Sequence, residues 1–306
     1  FWLKCLVSRR ACVARAPGPD QRALSAMIRA AAATVAPVAA VAARRLTAAG
    51  TVVAASPVAA AAATVLAPFR PQRWVASSAA SDSPYALYLL TDDAHLDDQL
   101  YAKIESALEG GVTCVQLRLK NVSTATYVDW GEKVRALTRR AGVPLIVDDR
   151  LDVALAVDAD GLHIGGEDLP WRTARRLLGS SRILGCSTYG RPELVREALS
   201  PEVRADYLGS GAIFGSPTKH KSVPKGVEHL AGLRELIATE AGGRSVPLVA
   251  IGGVGVDTAE QCIVGGADGV ATVSALLNHP GPDGARRATE TMLATIRRAL
   301  QHRGSP

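Results

Sequence analysis

The chain has 306 residues, of which 48% are hydrophobic and 21% charged, so it can bury the core of one large domain or two small ones. Its net charge of +6 is unevenly distributed, because residues 1–81 carry a local net charge of +9 and the remainder carries −3. The excess positive charge therefore belongs to the N-terminal segment and gives no argument for a nucleic-acid partner.

Residues 1–81 are rich in Ala and Val, contain ten Lys or Arg but one acidic residue, and show no core-forming periodicity. This composition is typical of an organellar transit peptide, for a plastid or a mitochondrion. We expect a disordered N-terminal leader over residues 1–81 and a folded domain over residues 82–306. If the leader is instead a mis-assigned start, with Met27 a candidate true start, the domain is cytoplasmic. The apolar residues 51–67 are short of the ~20 that a membrane span needs, so we expect no membrane partner.

From residue 85 onward, a short apolar run followed by an amphipathic stretch repeats eight times. The pattern predicts strands over residues 85–91, 113–119, 144–148, 161–164, 182–187, 206–214, 247–251 and 269–273. Eight such units predict a (β/α)8 TIM barrel. The alternative is an open doubly wound sheet, which is disfavoured because no GxGxxG opens the first unit.

The second predicted strand alternates apolar and polar residues, with Gln116, Arg118 and Lys120 on one face. In a TIM barrel this face points into the mouth, where the chemistry takes place. Two cations and an amide suit a polyanion, because Arg offers a planar fork and Lys a point charge to phosphate oxygens. The alternative is a solvated edge strand.

Acidic residues end the third and fourth predicted strands, at Asp148, Asp149 and Asp168. Neighbouring strand ends meet at one rim of the barrel, so Asp149 and Asp168 are candidate ligands of a hard cation such as Mg²⁺. The alternative is that they only begin helices as N-terminal acidic residues.

The fifth and sixth predicted strands end in residues suited to ligand binding. Ser187 ends the fifth strand, and by itself it fits a helix cap as well as a substrate contact. Residues 215–226 follow the sixth strand and contain Ser216, Thr218 and Lys219 between Gly and Pro, which indicates a phosphate-binding lid or an ordinary exposed loop.

The seventh and eighth predicted strands are followed by Gly253 and Ser274. Loops at these two places commonly bind phosphate in TIM barrels. They predict a second anion site across the mouth from Arg118 and Lys120.

Five cysteines show neither a CxxC motif nor metal-ligand spacing. Cys114, Cys186 and Cys262 lie in apolar runs, so we expect buried thiols in a reducing compartment.

The chain resembles the thiamine-phosphate synthase family in a set of ordered segments spread over residues 85–280. These are VQLRLK (115–120), DDRLDVALAVDADGLHIGGEDLP (148–170), ILGCS (183–187), DYLGSGAIFGSPTK (206–219), VAIGGV (249–254) and DGVATVSAL (268–276). The resemblance implies a transferase that condenses hydroxymethylpyrimidine diphosphate with thiazole phosphate, giving thiamine phosphate and pyrophosphate.

The resemblance also implies residue roles. Arg118, Lys120 and Lys219 would hold the diphosphate, Asp149 and Asp168 its Mg²⁺, and Gln116 and Ser187 the pyrimidine. Ser216, Thr218, Gly253, Val273 and Ser274 would hold the thiazole phosphate. The implied catalytic residues are Arg118, Lys120, Ser187 and Lys219. The partners would be these two small molecules, and a homo-oligomer is an open option.

Four positions depart from the family pattern. Asp148 stands at a substrate-binding position where the family has Asn, Gly166 replaces Gln, Ser216 replaces Thr, and Pro217 lies inside the lid. An ionised Asp148 would repel diphosphate unless it joins the metal. Two alternatives therefore stay open, a related thiazole tautomerase and an inactive barrel that binds thiamine precursors.

Overall fold

The structure is a computed structural model, and it describes residues 83–215 and 223–303. Its strands are β1 (Leu87–Leu90), β2 (Cys114–Leu117), β3 (Leu145–Asp148), β4 (Gly161–Ile164), β5 (Ile183–Ser187), β6 (Tyr207–Ser210), β7 (Leu248–Ile251) and β8 (Gly269–Thr272). They pair in parallel and in chain order, and β8 closes on β1. The predicted TIM barrel is confirmed, and the open doubly wound sheet is excluded.

Helices follow the strands around the outside of the barrel. They are α1 (Leu100–Glu109), α2 (Thr124–Ala141), α3 (Leu151–Ala156), α4 (Trp171–Leu178), α5 (Pro192–Leu199), α6 (Glu228–Glu240), α7 (Val256–Val264), α8 (Ser274–Leu277) and α9 (Pro282–Arg303). Local chemistry sets their ends. For α2, the Ser123 hydroxyl accepts the Thr126 N–H over 3.1 Å at the start, and Gly142 ends the helix with a φ of 66°.

The apolar residues form two separate clusters, as the period of two along each strand requires. Leu87 and Leu89 of β1 belong to the large cluster between strands and helices. Tyr88 and Leu90 belong to the smaller cluster inside the barrel, with Cys114 of β2. Side chains therefore fill the barrel interior, and only the carboxyl ends of the strands remain for ligands.

Three aspartates bind neighbouring strands together at the opposite, amino-terminal end of the barrel. They are Asp160, Asp206 and Asp268, each directly before an even-numbered strand. Each carboxylate accepts a backbone N–H of the preceding odd-numbered strand over 2.8 Å, from Leu145, Leu184 and Leu248 respectively. Each also pairs with an arginine of the helix before that odd-numbered strand, from Arg135, Arg175 and Arg234. We call this arrangement the strand clamp.

The remaining strand pair, β1 and β2, has a version of the clamp in which a hydroxyl replaces the carboxylate. Thr113 lies before β2, and its Oγ1 accepts the Leu87 N–H of β1 over 3.0 Å. The chain also adopts a positive φ two residues before each clamp residue, at Gly111, Asp158, Arg204 and Gly266. The barrel is thus built from four similar pairs of strands, a repetition that the sequence shows as DADGL, RADYL and GADGV.

Other sequence predictions have mixed outcomes. Cys114, Cys186 and Cys262 are buried free thiols, as predicted. The predicted leader, residues 1–81, lies outside the described residues, and so does most of the predicted lid. Within residues 83–215 and 223–303, no helix is both long enough and apolar enough to cross a bilayer.

The clamp predicts unequal effects of two substitutions at Asp206. Asp206→Ala should lower the free energy of unfolding by about 1–3 kcal/mol, because the buried Leu184 N–H loses its acceptor. Asp206→Thr should cost less, because a threonine already does this at position 113. Urea unfolding of the full chain measures both, with the exposed Asp129→Ala as control. Equal losses for Ala and Thr would contradict the clamp.

Candidate active site

A pocket of about 270 Å³ opens at the carboxyl ends of the strands. Charged side chains form its rim, and neutral polar and aromatic side chains form its floor. The sequence-predicted residues that line it are Gln116, Arg118, Lys120, Asp148, Asp149, Asp168 and Ser187. The prediction that these residues converge is therefore confirmed. Val115, Leu117 and Leu119 pack towards the helices, which rules out a solvated edge strand for β2.

Lysine and arginine side chains meet carboxylates at the rim. Lys120 Nζ lies 2.8 Å from Asp148 Oδ2 and also contacts the Asp149 carboxylate. Arg118 Nε lies 3.5 Å from the same Asp148 oxygen. The backbone supports this cluster, because Asp93 Oδ1 accepts the Lys120 N–H over 2.9 Å. The two cations predicted to hold a diphosphate thus already have carboxyl partners within the chain.

The surroundings raise the pKa values of both Asp148 and Lys120, but for different reasons. Burial, and then the Asp149 charge, raise the pKa of Asp148 to about 6, although Lys120 and Arg118 oppose the shift. Burial lowers the pKa of Lys120, but the Asp148 and Asp149 carboxylates outweigh it and raise that pKa overall. The difference follows from exposure, which is 8% for the Asp148 side chain and 37% for Lys120. The ionised form of Asp148 is therefore disfavoured by its surroundings.

Neither candidate metal ligand begins a helix. Asp149 has a φ of 57° and precedes α3, whose N-cap residue is Arg150, while α4 has Pro170 at its N-cap. Asp168 Oδ2 instead accepts the Gly165 N–H over 2.8 Å. Burial and, more weakly, Asp149 raise the pKa of Asp168, whereas that N–H lowers it. The helix-start alternative is wrong for both residues, and two carboxylates face one pocket.

A chain of hydrogen bonds between side chains crosses the floor of the pocket. Gln116 Nε2 donates to Tyr88 Oη over 3.0 Å, and Tyr88 Oη lies 2.9 Å from Tyr207 Oη. Tyr207 Oη lies 2.9 Å from His163 Nδ1, and His163 Nε2 lies 2.8 Å from Ser187 Oγ. Ser187 is therefore part of the pocket floor, and the alternative of a helix cap is wrong, because α5 has Arg191 at its N-cap.

Tyr88, Tyr207 and His163 were not among the site residues predicted from the sequence. The period of two offered a signal, because Leu162 and Ile164 pack outward and His163 must then face into the barrel. The polar atoms of these side chains were hidden in runs that look apolar as a whole.

The predicted residues for the second anion site are not brought into this pocket. Ile251 and Ala271 line its wall, whereas Gly253, Val273 and Ser274 come two or three residues later along the chain. Gly253 has a φ of 68°, and a side chain at this position would overlap Phe214 and Gly215, so the backbone here requires glycine. Ser216, Thr218 and Lys219 lie outside the described residues.

The fold and the pocket define a class of protein. This is a TIM barrel with a small-molecule pocket at the carboxyl ends of its strands, lined by cations and carboxylates at the rim and by polar and aromatic side chains at the floor.

Comparison with known proteins gives the family. The family model described as thiamine monophosphate synthase matches residues 87–276. Thiamine-phosphate synthases of Syntrophomonas wolfei and Pyrococcus horikoshii are 42% and 39% identical over 208 and 215 residues, covering 67% and 70% of this chain and 95% and 96% of theirs. The thiamine phosphate pyrophosphorylase structure from Pyrococcus furiosus is 34% identical, with a TM-score of 0.59, over 72% of this chain and 98% of that one. The chain belongs to the thiamine monophosphate synthase family, and the predicted thiamine phosphate-forming transferase is confirmed.

The raised pKa of Asp148 predicts a pH-dependent effect of Asp148→Asn on stability. From pH 3.8 to 6 the unfolded chain loses this proton before the folded chain does, so wild-type stability falls as pH rises. Above pH 6 the buried carboxylate costs roughly 3 kcal/mol, at about 1.4 kcal/mol per pKa unit. The variant should therefore unfold at higher urea than wild type at pH 8, and the difference should shrink as the pH falls to 4.

Urea titrations across this pH range measure the effect, with Asp129→Asn as an exposed control. A variant that is less stable than wild type at pH 8 would show that the ion pairs of Asp148 outweigh its burial.

Proposed function

We propose that the rim of this pocket binds the diphosphate of hydroxymethylpyrimidine diphosphate and that the floor binds its ring. The C–O bond between the methylene carbon and the diphosphate breaks, and the diphosphate leaves with the electron pair. The thiazole nitrogen lone pair then forms the new C–N bond. The observation that carries this proposal is the separation of charged rim and neutral floor within one pocket.

The rim supplies the charge that the leaving group requires. Negative charge grows on the diphosphate as the bond breaks, and preorganised cations stabilise it more in the transition state than in the ground state. Arg118 and Lys120 are held in place by Asp148 and Asp149 before any ligand arrives. Their guanidinium and ammonium groups therefore need little reorganisation when they bind phosphate oxygens.

The carboxylates of Asp149 and Asp168 fit a magnesium ion. The described residues contain no group of three or more His, Cys, Asp or Glu that could enclose a metal. Mg²⁺ commonly uses only one or two carboxylates, with water and substrate phosphates as its other ligands. Asp149 disfavours the ionised form of Asp168, and a divalent cation held by these two residues would offset that repulsion. When bound, the ion would offset the charge of the leaving diphosphate.

The floor would hold the aminopyrimidine ring in one orientation. Gln116 and Ser187 stand at the two ends of the hydrogen-bond chain. Each side chain is therefore positioned by one neighbour and can still form a hydrogen bond with an atom of the ring. Tyr88, Tyr207 and His163 would act by positioning these two groups. Burial raises the pKa values of Tyr88 and Tyr207, so both phenols stay neutral beneath the ring.

The residues that we assign to the thiazole phosphate come from the resemblance to the family. Gly253, Val273 and Ser274 lie beyond β7 and β8 at the same face of the barrel as the pocket. They would bind this phosphate together with Ser216 and Thr218, and Lys219 would join Arg118 and Lys120 on the diphosphate.

The proposal predicts that product formation by the full chain depends on Mg²⁺. With both substrates, thiamine phosphate and pyrophosphate should form in Mg²⁺ and disappear with chelator. Asp168→Asn should raise the Mg²⁺ concentration for half-maximal rate roughly tenfold, the scale of one lost contact to a charged group. Asp152→Asn is the matched control, because Asp152 is an exposed carboxylate nearby that pairs with Arg150.

Unchanged metal dependence in Asp168→Asn would contradict the metal site. Binding of pyrimidine diphosphate without product would contradict the proposed roles of the rim, and Asp148→Asn would be the first variant to examine.

The N-terminal segment leads to a separate proposal, that residues 1–81 direct the barrel to an organelle. A fluorescent reporter fused behind residues 27–84 should enter plastids or mitochondria of eukaryotic cells, because an acid-poor, Arg-bearing segment suits their import. Replacing Arg44 and Arg45 by Glu should abolish import. A reporter that stays in the cytosol in both forms would contradict the proposal.

A further inference from the structure

Tyr189 has an unusual backbone conformation at the edge of the pocket. It follows β5, and its φ of 47° lies in the left-handed region that a bulky residue rarely adopts. The next residue, Gly190, has a φ of 64°, and Arg191 N–H donates to Thr188 O over 2.9 Å, which closes a tight turn. Such strain at a pocket is often kept because the side chain has a task there.

Three contacts hold this turn in place. Thr188 N–H donates to Gly209 O over 3.0 Å and so fixes the end of β5 against β6. The Lys225 ammonium donates to the carbonyl of Tyr189. The imidazole of His229 packs against Gly190 so closely that a side chain at Gly190 would overlap it. The Tyr189 backbone is therefore fixed from both sides, and its ring lines the pocket.

The Tyr189 hydroxyl lies at the acidic end of the pocket. A methyl group on Gly165 would lie 2.6 Å from Tyr189 Oη and 3.1 Å from Asp168 Oδ2, so both oxygens flank the same Gly165 Cα. Gly165 is itself fixed, because its N–H donates to Asp168 and its carbonyl accepts Trp171 Nε1–H over 2.9 Å. A phenol hydroxyl in this place can donate a hydrogen bond to a carboxylate, which only accepts.

We propose that Tyr189 is a positioning residue for the diphosphate end, whose hydroxyl holds Asp168 in the orientation that binds the metal and its diphosphate. This inference rests on the proposed function, because it assigns a task only if that end binds a metal and a diphosphate. It also explains why position 165 is glycine although its backbone does not adopt a positive φ. The glycine leaves room for the hydroxyl.

The test is calorimetric titration of the full chain with inorganic pyrophosphate, with Mg²⁺ and with chelator. Tyr189→Phe should weaken Mg²⁺-dependent binding roughly tenfold, the scale of one hydrogen bond to a charged group, because it removes the hydroxyl that we propose donates to Asp168 and keeps the ring. Gly165→Ala should weaken it as well, because the new methyl group meets the hydroxyl. In the double variant the methyl lies 3.7 Å from Cζ of the ring but still 3.1 Å from Asp168 Oδ2, so the two losses should add only in part.

Two variants serve as controls. Tyr101→Phe changes a tyrosine of α1 outside the pocket, and Gly232→Ala adds a methyl group where no atom lies within 4 Å. Both should bind pyrophosphate as wild type does.

The outcomes separate this inference from the proposed function. Wild-type binding that is absent in Mg²⁺ would overturn the metal and diphosphate site, and the role of Tyr189 with it. Wild-type binding that is unchanged in Tyr189→Phe would overturn the role of Tyr189 alone. Losses in the two single variants that add fully in the double variant would also overturn it, because the methyl group would then act without the hydroxyl.

Discussion

The hydrogen bond from the backbone N–H of an odd-numbered strand to the side chain of the residue before the next strand fixes much of this barrel. It occurs three times with aspartate and once with threonine, always at the amino-terminal end. Register matters because a slip of one residue turns every side chain to the other face. Because the clamp fixes the register at the amino-terminal end of the barrel, Gln116 and His163 must point into the interior. The carboxyl ends of the strands are then free to carry polar groups.

The rim shows how opposite charges can prepare a site before its ligand binds. Arg118 and Lys120 share Asp148, so no cation there is left alone in a partly buried place. The departure from the family's Asn therefore has a definite effect. An ionised Asp148 competes with diphosphate for Lys120, whereas a protonated one offers a hydrogen bond as an amide does. The pKa of about 6 means that a small gain in negative charge nearby favours the protonated form.

Much of the fold was predictable from the sequence, because eight apolar runs of strand length alternate with amphipathic stretches. The rim was predictable too, since its residues stand at strand ends. Of the floor, only its two ends, Gln116 and Ser187, were predictable, because Tyr88 and Tyr207 each have an apolar body and act through one oxygen atom. Tyr189 could not be found either, since no pattern of period two or 3.6 marks a left-handed residue in a turn. Contacts such as that between Tyr189 and Gly165 join residues whose relation exists only in three dimensions.

The neutral floor and the charged rim depend on each other. Tyr207 and His163 stack with ring centroids 5.4 Å apart, and Tyr88 and Tyr207 are buried in the barrel interior beneath the pocket. A buried floor strengthens the field of the cations above it, because electrostatic interactions grow as the local dielectric constant falls. Burial would be costly for an unpaired polar group, and the floor avoids this by linking its side chains in one chain of hydrogen bonds. A ligand with a polar ring and a diphosphate matches both layers at once, which is why one small pocket can serve a substrate of such uneven charge.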